Sequence, residues 1–133
     1  MGRRQSREAA MKALFEIELG QVNVDTAIKH IMSECDFNDN DRQFLKILVE
    51  GVLKHINKLD KIISRFSEKW EIERMSAVDR NIMRLALYEM LYRDDIPNAV
   101  SINEAVELAK KFGGEESWRF VNGILGKYVK TLT

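Results

Sequence analysis

Apolar side chains recur every three or four positions along nearly the whole chain, strict alternation is scarce, and Pro97 is the single proline. That period belongs to helices packed on one another, so the pattern predicts an all-α fold. A first helix is expected from Arg4 to Leu19, stopping at Gly20, and a second between Val24 and Cys35. The stretch DFNDNDR supplies turn and cap residues before a long periodic segment, Phe44, Ile47, Leu48, Val52, Ile56, Leu59, Ile63 and Phe66, which reads as one helix or two. Ser76, with Asp79 three positions on, makes a capping-box-like start to a helix from Ala77 to Arg93. This helix is apolar nearly all round, the pattern of a helix enclosed by others. Beyond Pro97, Ser101 followed by Glu104 predicts the next helix start and Gly113 its C-terminal glycine, while Glu115 and Glu116 suit the positive end of a last helix. No repeat, low-complexity tract or linker intervenes, so residues 1–133 read as one compact domain of six or seven helices.

Two helices carry apolar residues outside a single stripe. In the first, Ala10, Ala13, Leu14 and Ile17 share one stripe, and Met11, Phe15 and Leu19 form another nearly opposite. Either a neighbouring helix covers the second stripe or it is a face for another protein. In the last helix Val121, Ile124, Leu125 and Tyr128 mark the core side, with Trp118 and Val129 at one flank and Phe120 at the other. Phe120 is therefore either the edge of the core or a ring available to a ligand. Gly123 inside this helix is unfavourable by about 1 kcal/mol relative to Ala. It predicts the close approach of a neighbouring helix or of a ligand.

Composition narrows the function. With 45% hydrophobic residues in 133, the chain can bury a core unaided. One cysteine, Cys35, excludes an internal disulfide framework, and His30 and His55 stand apart, so no metal or cofactor is expected. The N-terminus lacks the apolar region of a signal peptide and no window reaches the ~18 apolar residues of a membrane span, so the expected compartment is the cytoplasm. Net charge is zero but unevenly spread: residues 1–12 carry Arg3, Arg4, Arg7 and Lys12 against Glu8, residues 110–133 carry five basic and two acidic residues, and the middle is net −6. If the two ends meet they form one basic face; the alternative is a solvated scatter of charges. Around one hinge, Lys110, Lys111, Phe112, Gly113, Gly114, Trp118, Arg119 and Phe120, with Lys127 beyond, combine cations, glycines and aromatics in the manner of a single-strand stacking platform.

Catalysis finds no support. No Ser/His/Asp or Cys/His set is suggested, and Gly113–Gly114 lacks the strand, spacing and lysine of a phosphate-binding loop, so no enzyme and no catalytic residue are expected. Glu89 projects among Ile82, Leu85 and Ala86, which predicts a buried carboxylate paired with an arginine or a hydroxyl; an acid–base role is the alternative.

The stretches VDRNIMRLALYEM, IPNAVSINEAVELAKKFGGEES and FVNGIL, with RRQSREAAMKALFEIE at the start, resemble the NusB family of transcription antitermination factors over almost the whole chain. The resemblance implies two small helical bundles that bind the single-stranded boxA segment of nascent RNA together with NusE, a ribosomal small-subunit protein. It also implies a place in assemblies that let RNA polymerase read through terminators, notably on ribosomal RNA operons. Carried over by position, Arg4 and Arg7 match basic residues of the family's first helix that contact RNA, and Phe112, Glu116 and Phe120 match its RNA surface. Arg3, Lys110, Lys111, Arg119 and Lys127 join them as candidate RNA contacts. Phe15 and Leu19 match positions facing NusE, Met11 extends their stripe, and Glu73 and Asp79 match acidic positions of the same interface. Phe15 stands where tyrosine is familiar, which removes one hydroxyl from that interface, and Asp79 and Glu116 exchange one acid for the other. Two rival readings stay open. One is a helical module of a ribosomal RNA cytosine methyltransferase, for which no cofactor-binding domain follows here; the other is an adaptor or homodimer that closes these surfaces on itself.

Overall fold

The helical period is realised as α1 (Arg3–Gly20), α2 (Val24–Glu34), α3 (Asp39–Lys54), α4 (Ile56–Phe66), α5 (Ala77–Tyr92), α6 (Asn98–Phe112) and α7 (Glu115–Lys130), with a 3-10 turn at Ile72–Arg74. The computed structural model describes residues 2–68 and 71–132, and no strand occurs among them. Short polar side chains start three of these helices by accepting from N–H groups that have no intrahelical partner. Asn23 accepts from Asp25 and Thr26, Asn38 from Asp41, and Ser76 from Asp79. The long periodic segment is two helices. His55 breaks it with φ −110° and ψ 18°, while its N–H still reaches the Gly51 carbonyl at 3.1 Å.

The start of α6 differs from expectation, while its end at Gly113 agrees. Ser101 and Glu104 do not cap α6, which begins at Asn98 directly after Pro97. Both side chains turn instead toward α5 and α1, where Glu89, Arg4 and Arg7 outcompete a cap. At the α6–α7 hinge Gly113 keeps right-handed backbone, and Gly114 takes the positive φ of 93°. Gly113 is needed for another reason: a Cβ there would run into the Ser117 side chain.

α1 packs on α2, α3 and α5; α6 packs on α5 and α7; and α4 packs on α5 and α7. α5 is thus shared by two groups of helices, and every residue from Asn81 to Glu89 is buried. That enclosure is why its sequence is apolar all round. Leu45, Leu48, Val49 and Val52 of α3, Leu59 and Ile63 of α4, and Val121 and Leu125 of α7 surround it with no exposed surface. Each buried Leu, Ile or Val contributes about 1.5–3 kcal/mol. On α1 Ala10, Ala13 and Leu14 of the first stripe are buried and Ile17 partly so, but Met11 is buried too, at 2% exposed, which removes it from the candidate partner face. Three neighbouring helices, α2, α3 and α5, pack on α1. Beyond Met11 the second stripe emerges, with Phe15 at 36% and Leu19 at 58% exposed.

Candidate nucleic-acid interface

Arg4 and Arg7 lie one turn apart on α1, and α6 runs past them with Glu104, Glu107, Lys110 and Lys111. Between the helices lies a groove of about 530 Å³. Arg4 is 72% exposed and donates from Nε and Nη2 to the Glu104 carboxylate at 3.1 and 2.8 Å. Its hydrogen bond is the main reason the Glu104 carboxyl sits below its usual range. Lys111 meets Glu8 at 2.5 Å, and Lys110 stands 3.9 Å from Glu107. The basic ends of the chain therefore do face each other, but each cation of the groove already has a carboxylate. Exposed pairs of this kind are weak and exchange readily for another anion, so the groove can release cations to a phosphate.

Arg7 departs from the expectation of a phosphate contact. Only 6% exposed, it donates to both oxygens of Glu89 at 2.7 and 3.0 Å, and its Nη1 reaches Glu104 at 3.5 Å. The Ser101 hydroxyl gives Glu89 a third hydrogen bond at 2.9 Å. Glu89 is thus the buried carboxylate the sequence suggests, paired with both an arginine and a hydroxyl. Arg7 braces α1 against α5 and α6 and sets the place of Glu104, which in turn holds Arg4. Beside it Arg3, Arg7 and Arg93 place their guanidiniums 4.6, 5.6 and 5.4 Å from the Phe44 ring. Asp95 bridges Arg3 at 3.2 Å and Arg93 at 3.0 Å, and the Arg93 bond foremost holds its carboxyl far below the ordinary range. Phe44 reads in the sequence only as an apolar position of the long periodic segment, and Arg93 had no signal beyond its residue type.

At the α6–α7 hinge the two phenylalanines part. Phe112, 37% exposed, sits beside α1 with Lys12 and Lys111 at 5.5 and 5.4 Å from its ring. Lys110 and Arg119 stand 5.2 and 5.4 Å from Trp118. Phe120 is half-buried and makes no ring contact with Phe112 among the described residues. It lines a depression of about 470 Å³ with Arg74, Met75, Asp79, Glu116 and Ser117. The Ser117 hydroxyl donates closely to Asp79 there, so Asp79 lies with Glu116 and Phe120. On its other side Phe120 shares a smaller hollow with Phe66, Arg119, Gly123 and Lys127. Lys127 stands 3.6 Å from Glu68. No neighbouring helix approaches Gly123, whose added Cβ would meet nothing within 4 Å. The glycine leaves open space at the floor of the hollow, and the expected close helix approach is absent.

The far end of α1 presents Phe15 and Leu19, with Glu18 between them turned inward. Arg80 donates from Nε and Nη2 to Glu18 at 3.0 and 2.5 Å and from Nη1 to the carbonyls of Ile72 and Met75 at 2.9 and 2.8 Å. Arg84 joins Glu18 at 2.8 Å to Asp60 at 2.7 and 2.8 Å. Burial pushes the Glu18 carboxyl up, but the hydrogen bonds from Arg80 and Arg84 outweigh it and leave it lowered. This network ties the 3-10 turn, with exposed Glu73, to the end of α1 that carries Leu19. Among the described residues no His, Cys, Asp and Glu group has the arrangement of a metal site, and no helix is long and apolar enough to cross a membrane.

The sequence profile of the NusB family matches residues 4–130. The chain is 50% identical over 130 residues to the transcription antitermination protein NusB of Acetivibrio thermocellus, covering 98% of this chain and 90% of the relative. For the NusB protein of Bacillus subtilis strain 168 the identity is 46% over 125 residues, with 94% and 92% covered. The fold is similar to that of T. maritima NusB, with TM-score 0.89 at 38% identity over 98% of this chain and 92% of the other. It is similar also to a crystal structure of the antitermination factors NusB and NusE in complex with dsRNA, with TM-score 0.89 at 28% identity over 97% and 96%.

Proposed function

The chain belongs to the NusB family, a family of transcription antitermination proteins rather than enzymes, and we propose that it acts by holding boxA RNA and NusE at once. In this reading residues 1–133 work as one unit in the cytoplasm and bring both ligands to an RNA polymerase antitermination complex. Arg3, Arg4, Lys110, Lys111, Arg119 and Lys127 neutralise phosphates, Phe112 and Phe120 stack on bases, and Glu116 accepts from base amino groups. Arg7 takes the part of a brace. Phe15, Leu19 and Glu73 receive NusE, and Asp79 lies at the border between the two surfaces.

The observation that carries this reading is the layout of α1. Its first turns line a groove with the cations of α6, and its last two turns expose Phe15 and Leu19, so one rigid helix offers separate surfaces to a polyanion and to an apolar protein face. A solved structure similar to this chain, of NusB and NusE in complex with dsRNA, supports a joint assembly with NusE and RNA.

The test is co-elution of the chain with NusE, with and without boxA RNA. Leu19→Asp should melt like the parent and lose NusE, because a charge on an exposed apolar patch blocks docking without entering the core. Met11→Asp should lose the fold itself, since Met11 is 2% exposed. A Leu19→Asp variant that still co-elutes with NusE would move the partner face elsewhere.

A further inference from the structure

Residues 54–66, KHINKLDKIISRF, hold four basic residues and one acidic, although the chain between its basic ends is acidic as a whole. Lys58, Lys61 and Arg65 follow one another at spacings of three and four, which brings them within about 60° on one face of α4. Leu59 and Ile63 on the other side are fully buried. Asp60 does not neutralise the stripe, because Arg84 holds both of its oxygens. Lys54, Lys58 and Lys61 are exposed and form no salt bridge among the described residues, unlike the cations of the α1–α6 groove. α4 also begins without a side-chain cap or an acidic residue in its first turn.

Aromatic clusters close the stripe at both ends. At its start the His55 ring stacks on Tyr92 with centroids 4.1 Å apart and planes at 17°, Tyr92 leans on Tyr88 at 5.4 Å, and Lys58 stands 5.7 Å from the Tyr92 ring. His55 and Tyr92 are half-buried. The stack has a built foundation: Gly51 has no side chain where the Tyr88 ring lies, and a Cβ there would run into that ring. At the other end Arg65 stands 5.2 Å from Phe66, and Phe66 borders the hollow it shares with Phe120, Arg119 and Lys127. A face that is merely solvated mixes its signs. This one carries a single sign between two sets of rings, which is how proteins track a single strand.

We propose that the outer face of α4 is a second RNA track, from the Phe120 hollow to the His55–Tyr92 stack, taking nucleotides that flank the boxA segment. This rests on the RNA-binding reading given above. The track is 11 residues of helix, about 16 Å long.

The test uses the full chain with NusE and two RNAs: the boxA segment alone, and the same segment extended by roughly ten nucleotides on either side. The parent should bind the extended RNA several-fold more tightly, with a steeper dependence of log affinity on log salt. Lys58→Gln/Lys61→Gln should bind the short RNA as the parent does and flatten the slope for the extended RNA by about 1.4, at about 0.7 for each single-strand phosphate contact. Lys58→Glu/Lys61→Glu should abolish the gain from extension, and His55→Ala should reduce that gain without changing the slope. Equal extension gains and slopes in parent and lysine variants would overturn the track, as would short RNA bound with no gain on extension. A parent that binds neither RNA would instead remove the RNA-binding reading itself.

Discussion

Replacing Arg7 by Met keeps an unbranched stem in the space between α1, α5 and α6 but leaves the Glu89 carboxylate buried with Ser101 as its remaining donor. The side chains of the pair are 7% and 2% exposed, and its two hydrogen bonds measure 2.7 and 3.0 Å. Removing one partner of such a pair destabilises by about 3–5 kcal/mol. The Ser101 bond at 2.9 Å persists and places the loss near the lower end, about 3 kcal/mol. With an unfolding entropy of ~2.1 cal/mol/K per residue over 133 residues, Tm should fall by about 10 °C. Arg7→Met/Glu89→Leu should recover at least half of that loss, because an apolar pair of similar volume often replaces a buried ion pair at little cost. Urea titration of the parent, both single variants and the double variant gives the coupling directly. The same Arg7→Met protein, where folded, should keep the salt slope of RNA binding. Additive losses, or a single variant within about 1 kcal/mol of the parent, would refute the brace. A slope flattened by about 0.7 would put Arg7 on the RNA.

Arg4→Ala, by contrast, should leave Tm nearly unchanged and flatten the salt slope of RNA binding by about 0.7, since its guanidinium is solvent-exposed and its carboxylate partner exchangeable. Phe120→Ala should lose less stability than the ~3–5 kcal/mol of a fully buried phenylalanine, and weaken RNA binding by about 1–3 kcal/mol; Phe120→Tyr, which keeps a ring, should restore most of the affinity. Unchanged affinity in a destabilised Ala variant would return Phe120 to the core. His30 bridges Glu16 at 3.0 Å and Glu34 at 3.1 Å, and the Glu16 hydrogen bond foremost raises its pKa above the ordinary 6.5. Its contribution to stability is therefore complete below pH 6.5 and lost as pH rises through the raised value. The urea midpoint of the parent should exceed that of His30→Gln at about pH 6, and the gap should narrow by about pH 8.

Much of the fold was legible because helix period and caps are local. The all-round apolar pattern from Ile82 to Tyr88 announces a central helix, and Ser76 with Asp79 marks its start at the residue where α5 begins. The candidate site was harder, because neighbours distant in sequence decide which side chain is free. Arg4 and Arg7 are the same residue type one turn apart, yet Glu89, 82 positions away, claims Arg7 alone. Met11 and Phe15 share a stripe, yet the packing of α2, α3 and α5 on α1 covers only the first. Ser101 and Glu104 match a capping motif by spacing, but Glu89, Arg4 and Arg7 engage both side chains. Charge summed over long segments concealed the cationic face of α4, because the acidic residues that balance it lie on other helices.

Joint recognition of boxA RNA by this chain and NusE is tested by one titration. Labelled boxA RNA and a scrambled RNA of the same length and composition are titrated with the chain alone and with the chain plus NusE, at low and at physiological salt. NusE should tighten binding of boxA much more than of the scrambled strand. The preference for boxA should survive at the higher salt, where phosphate attraction weakens and base contacts remain. Equal binding of the two RNAs, or boxA affinity that NusE leaves unchanged, would contradict joint recognition.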